Sequence, residues 1–219
     1  MKKMFVCLLC IAALLAVPAF AAVYTDATND IAFATPNLDI SGAEVTNDFT
    51  NLKIIVQLIA DIQATDWGKY MVGIDSKPGG DALGNGWGRP ISMSSGMDVW
   101  LGGWVDSGGN VEAYNYNVSW VLSNTYAVTI NQFSVEYTIP LGVIGLNPGD
   151  TIGFDIYSSG GGGSDGAIDA LANPSQTIAN WGDSYDSSNM VYTYNLIPEP
   201  TVIALAGVGL LGLLLARRR

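Results

Sequence analysis

Two sets of residues in this chain have the chemistry to hold a ligand. In the stretch MDVWLGGWV an extended strand sends Asp98, Trp100, Gly102 and Trp104 to one side and Val99, Leu101, Gly103 and Val105 to the other. The turn DSGGN then closes a hairpin that pairs Val105 with Val111, setting Trp100 opposite Tyr116, Trp104 opposite Glu112 and Tyr114 opposite Gly102. One sheet face then carries Trp100, Trp104, Tyr114 and Tyr116. Indoles four residues apart stand about 13 Å from each other. Their rings suit the C–H faces of a polysaccharide. Aromatics at period two are more often half of a sandwich core than a binding platform, while Asn115, Asn117 and Ser119 on the opposite face do not belong in a dry core.

The second set is the aspartates, sixteen against four glutamates. Calcium takes six to eight hard oxygens, which short Asp side chains and loop carbonyls supply at close range. Asp165 and Asp169 bracket one loop of this kind. No run has the spacing of the twelve-residue calcium-binding loop, and a solvated acidic surface accounts for many carboxylates as well as a metal does. Histidine is absent, and both cysteines, Cys7 and Cys10, lie in the N-terminal leader, outside any lipoprotein cleavage box. Zinc is therefore excluded from the body, as are His- or Cys-based catalytic triads. A glycosidase needs only two carboxylates about 5–9.5 Å apart, and nothing singles out such a pair. The expectation is a protein without enzymatic activity.

The elements that must position these residues are short alternating or apolar runs: 38–45, 52–62, 70–75, 97–105, 111–122, 126–130, 134–139, 151–157 and 190–195. Their number, and the Gly, Asn, Asp and Pro between them, predict an all-β fold, an antiparallel β-sandwich of jelly-roll type. KIIVQLIADI is apolar on both faces, as a central strand requires, and SVEYTIP alternates, with Val135, Tyr137 and Ile139 on one side. Three glycine-rich stretches, DSKPGGDALGNGWGRP, DSGGN and SSGGGGSDGAID, read as flexible or tightly turned surface loops, and none has the lysine of a phosphate loop. The body carries nineteen carboxylates from Asp26 to Asp186 against Lys53, Lys69, Lys77 and Arg89, about −15 in all. Such a surface repels nucleic acid and attracts cations.

The two ends set the address. Residues 1–21 have a basic pair, Lys2 and Lys3, an apolar run, and Ala19-Phe20-Ala21, the layout of a secretory signal peptide cleaved after Ala21. The body follows as one domain, 22–196. In the tail, 197–219, every residue from Val202 to Ala216 is apolar or glycine, and three arginines follow. As a helix those fifteen residues span about 22 Å, short of the roughly 30 Å hydrocarbon core, and arginine stems reach across part of the gap. The positive-inside rule leaves the arginines cytoplasmic and the body outside.

Pro198-Glu199-Pro200, an apolar helix, and Arg217, Arg218 and Arg219 together resemble the PEP-CTERM sorting signal. The resemblance implies processing by an exosortase, a membrane enzyme of Gram-negative bacteria that make exopolysaccharide. The protein is then held at the inner membrane during sorting and delivered to the cell envelope or extracellular matrix. In the body, Asp26 and Asp30, then Leu38-Asp39-Ile40, Asn51-Leu52 and Tyr70-Met71-Val72-Gly73-Ile74-Asp75 resemble calcium-associated β-sandwich domains related to family nine carbohydrate-binding modules, as does VEYTIPLGVIGLNPGDTIGFDIY. That resemblance implies a structural calcium at Asp26, Asp30 and Asp39. The expected function is a non-catalytic carbohydrate-binding module of the envelope or exopolysaccharide matrix; the alternatives are a structural matrix protein with no sugar site and a glycoside hydrolase.

Overall fold

The computed structural model describes residues 21–187 and 191–197. Residues 1–20 of the expected signal peptide, and the expected C-terminal membrane helix with its preceding prolines and its arginines, lie outside the described residues. Among those residues no helix is long and apolar enough to cross a membrane.

The body is a sandwich of antiparallel sheets. In chain order its strands are β1 (Ala22–Thr25), β2 (Ile40–Asn47), β3 (Asn51–Leu58), β4 (Lys69–Asp75), β5 (Ile91–Ser92), β6 (Val99–Trp104) and β7 (Asn110–Asn117). They continue with β8 (Ser119–Ala127), β9 (Thr129–Ile130), β10 (Ser134–Pro140), β11 (Thr151–Ser159), β12 (Asp169–Ala170), β13 (Tyr185–Asp186) and β14 (Tyr192–Asn195). One sheet runs β1-β2-β3-β10-β9 and the other β12-β11-β4-β6-β7-β8, with β14 also on β11. The short β5 and β13 pair in parallel outside both sheets.

Alternation decides which side chains meet between the sheets. From the first sheet come Leu52, Ile54 and Val56 of β3 and Val135, Tyr137 and Ile139 of β10, all buried. From the second come Tyr70, Val72 and Ile74 of β4, Val99 and Leu101 of β6, and Phe154 and Ile156 of β11. The outer side of β3 is not apolar throughout: Lys53 pairs with Glu136 at 2.7 Å, and Gln57 donates to Glu44. That strand is central but buried on one face only.

The sheets are also joined by polar links. Tyr137 donates its hydroxyl to the Tyr70 carbonyl at 2.8 Å, and Tyr70 in turn donates to the Asn37 carbonyl at 2.8 Å. Gly103 lies beneath the first link, where a Cβ would come within 2.8 Å of the Tyr70 oxygen and overlap the Tyr137 ring. Gly103→Ala is expected to cost about 1–3 kcal/mol, read from the midpoint of urea unfolding, because the added methyl forces the phenol off its acceptor.

Two sequence expectations are corrected. The run 111–122 is not one strand: the chain reverses between β7 and β8 at Val118, whose φ of 67° is exceptional for a β-branched residue and gives no turn signal in sequence. The β6–β7 hairpin pairs Trp100 with Tyr114 and Trp104 with Asn110, rather than with Tyr116 and Glu112. Ser107, Gly108 and Gly109 all take positive φ, which centres the turn one residue earlier than Val105–Val111 pairing would. The resulting even shift leaves every side chain on its expected face.

The turn DSGGN stays at the surface, its Ser107 and Gly108 exposed, and the other two glycine-rich loops form a third layer. They cover the outer side of the second sheet, where Met71, Trp100 and Tyr157 are fully buried. Arg89 crosses from one loop to the other, donating to the Ser159 hydroxyl at 2.7 Å and to the Asp165 and Gly160 carbonyls. Asp155, fully buried beneath this cover, accepts hydrogen bonds from the Ser187 hydroxyl and the Ala172 amide and so holds the segments that follow β12 and β13 against β11.

Candidate metal centre

The acidic site forms where the chain passes from β1 to β2. Asp26 follows the last residue of β1, and a loop carrying Asn29 and Asp30 leads to a single 3-10 turn, Pro36–Leu38, with proline at its start. Proline presets the backbone for that turn. The turn is gripped from the second sheet, since Tyr70 caps the Asn37 carbonyl and Ser158 the Leu38 carbonyl. Asp39, directly after it, is thereby held in place and buried. Asn29, at a φ of 63°, turns its amide onto Asp39 Oδ2 at 2.8 Å.

Asp169 arrives from β12, 130 residues further along the chain. It accepts the Ile40 amide at 2.6 Å and the Ala170 amide at 2.8 Å, which joins it to the start of β2. Carboxylate oxygens of Asp30, Asp39 and Asp169 all lie within 4.8 Å of one another. Two oxygens bound to one calcium at about 2.4 Å can be no further apart than about 4.8 Å, so the group has the compass of a single coordination sphere.

The hydrogen bonding is incomplete in the same direction. Both oxygens of Asp30, Oδ1 of Asp39 and Oδ2 of Asp26 are buried without a partner among the described residues. No basic group answers them: among the described residues, the two salt bridges are Lys53–Glu136 and Lys69–Asp106, and Arg89 is spent on the loop layer. Burial, and then the charge of Asp169, push the Asp26 carboxyl up to about 9. Burial raises Asp169 to about 7 against the pull of the Ile40 amide, and it raises Asp30 and Asp39 as well. Carboxylates so placed either keep their protons or share a cation. With no His or Cys in the body, an all-oxygen set of this kind suits calcium.

Of the residues expected to hold metal, Asp30 and Asp39 fall in this group, and Asp26 stands at its edge, within electrostatic reach of Asp169 and Asp30. Asp169 joins them in place of its expected loop partner Asp165, which instead accepts the Gly162 amide. The signal for Asp169 was a lone charge inside the apolar run AIDALA.

The aromatic strand is a different matter. Trp100 is fully buried, stacked on Tyr157 with centroids 5.9 Å apart and edge-on to Trp87 at 6.4 Å, which removes it from any sugar platform. Trp104 and Tyr114 are half-buried beneath the first glycine-rich loop. Trp87 of that loop donates to Glu112, as does the Tyr114 hydroxyl, and Gly86 lies so close that a Cβ would meet the Tyr114 ring at 2.6 Å. Tyr116 packs on Trp120, which is anchored to Asp81. Glycines let the loop settle on this face and turn most of the aromatic row into a packed layer.

A pH dependence follows from the raised carboxyls. Folding lifts Asp169 and Asp155 to about 7 and Asp26 to about 9, above their unfolded values, so the folded state retains protons that the unfolded chain has already lost. Stability without metal must then fall as pH rises from the ordinary carboxylate range through about 7 toward 9. A cation bound by the acidic group would displace the protons of Asp169 and its neighbours, and its stabilisation would grow over the same interval. Melting curves in EDTA should decline across this window, and saturating calcium should make the decline shallower, leaving the part that Asp155 contributes.

The tail supplies the remaining identification. The profile of the PEP-CTERM protein-sorting motif matches residues 196–219. The chain carries an exosortase sorting signal. The PEP-CTERM motif marks the protein for export and for sorting at the membrane, and it covers the tail alone. No curated protein matches the chain.

Proposed function

We propose that the body of this PEP-CTERM chain is a non-catalytic, calcium-bound β-sandwich that works beyond the cytoplasm, in the cell envelope or its polysaccharide matrix. The observation that carries the reading is the group Asp30, Asp39 and Asp169: three carboxylates within the compass of one coordination sphere, unpartnered oxygens among them, and no basic side chain salt-bridged to them among the described residues. Calcium is abundant outside the cell, and a site that ties the β1–β2 loop to β12 converts that abundance into a folded, protease-resistant module. Ligation here joins segments 130 residues apart, so the cation closes the end of the sandwich much as a cross-link would. That is useful in a body without cysteine, since Cys7 and Cys10 both precede it.

The test is calorimetric titration of the exported protein with calcium. One site is expected in the parent and none in Asp39→Asn, whose folding is checked by circular dichroism. Absence of binding heat and of any thermal shift with calcium would falsify the assignment.

A further inference from the structure

Next to the carboxylates the β1–β2 loop leaves an open cavity of about 230 Å³, lined by Asn29, Ile31, Phe33, Ala34, Pro36 and Asp39. Asp39 therefore belongs to both the acidic group and the cavity wall, with one oxygen held by Asn29 and the other unpartnered. Phe33 continues the wall outward: its ring lies 4.6 Å from that of Trp181, which is 36% exposed and edge-on to Trp67 at 6.0 Å. The cavity is smaller than the roughly 300–1,000 Å³ of a drug-sized site, the scale of one small ring rather than an extended ligand.

We infer that this cavity binds a neutral saccharide, with two adjacent hydroxyls completing the coordination of the cation and the ring lying against Phe33 and Trp181. The inference rests on the cation reading above. Calcium takes six to eight oxygens. One oxygen each from Asp30, Asp39 and Asp169 leaves at least three positions, and Asp39 places the cavity beside them.

Charge selects the ligand. Three carboxylates around a divalent ion, with Asp26 close by, leave the site net negative, with no lysine or arginine salt-bridged to it among the described residues. A uronate or phosphate is repelled, whereas a neutral vicinal diol supplies two oxygens at coordination spacing. The same sugar presents C–H faces that suit the exposed aromatic edge, which the acidic group alone does not explain.

The test is affinity electrophoresis of the exported protein through gels containing dextran, mannan or galactan, with alginate as the anionic control, in calcium and in EDTA. Retardation is expected on at least one neutral gel in calcium only. It should weaken about tenfold in Trp181→Ala and in Phe33→Ala, while calorimetric calcium binding by both variants stays intact. Retardation that persists in EDTA, that is confined to alginate, or that both variants retain would overturn the inference, as would no retardation of a protein that titrates calcium. A protein that does not titrate calcium fails at the earlier step, and the inference fails with it.

Discussion

In EDTA the Asp30→Asn protein melts above the parent chain, and in calcium at about a thousand times its dissociation constant it melts below. Both oxygens of Asp30 are buried without a hydrogen-bond partner and share a 4.8 Å neighbourhood with Asp39 and Asp169. Without a cation, folding desolvates this carboxyl and holds it beside like charge. It offsets the cost only by keeping its proton. An amide of the same shape carries no charge, so its substitution relieves the metal-free protein. With calcium the balance inverts, because a carboxylate is a far stronger calcium ligand than an amide oxygen.

The size of the inversion follows from linkage. Occupancy at a thousandfold excess stabilises the folded state by about 4 kcal/mol. In a domain of this size each kcal/mol moves the melting temperature by roughly 2–4 °C, so the parent gains about 8–16 °C. Asp30→Asn gains a fraction of that. Differential scanning calorimetry of the two proteins in EDTA and in calcium gives all four melting temperatures. A parent indifferent to calcium, or a variant that follows the parent in both buffers, contradicts the assignment.

How far the sequence foretold this centre depends on chain separation. Asp30 and Asp39 came from the resemblance to calcium-associated β-sandwich domains, whose pattern runs through one N-terminal stretch of chain. Asp169 was not grouped with them, because only the placing of β12 on β11 and the Ile40 amide bring it across. Pattern served well where one side of a strand faces the other sheet, as in Val135, Tyr137 and Ile139, or Val99 and Leu101. It failed where loops supply the second wall. Polar, glycine-rich segments read as flexible or tightly turned surface loops, yet Gly86 and Gly102 are what allow main chain to lie on Tyr114 and Trp87 to lie on β6. Composition reports that such a loop is free to bend, and only the packed fold shows where its freedom is spent.

That third layer makes Trp100→Ala the most damaging single change expected here. The indole has no exposed surface, stacks on Tyr157 and meets Trp87 edge-on, so its removal opens a cavity between β6 and the loop above it. Truncating a buried tryptophan costs about 3–5 kcal/mol. Trp104→Ala, on the same face but half-buried, should cost less, and Trp100→Phe should fall between the two alanine variants. Phenylalanine keeps a ring against Tyr157 and also removes the indole N–H, which is buried without an acceptor among the described residues. Urea unfolding of the three variants ranks them directly. A Trp100→Ala protein as stable as the parent would put the indole back on the surface, where it could stack on a sugar; a loss of several kcal/mol fixes it as the keystone of the outer layer, to which Tyr157 and Trp87 both owe their positions.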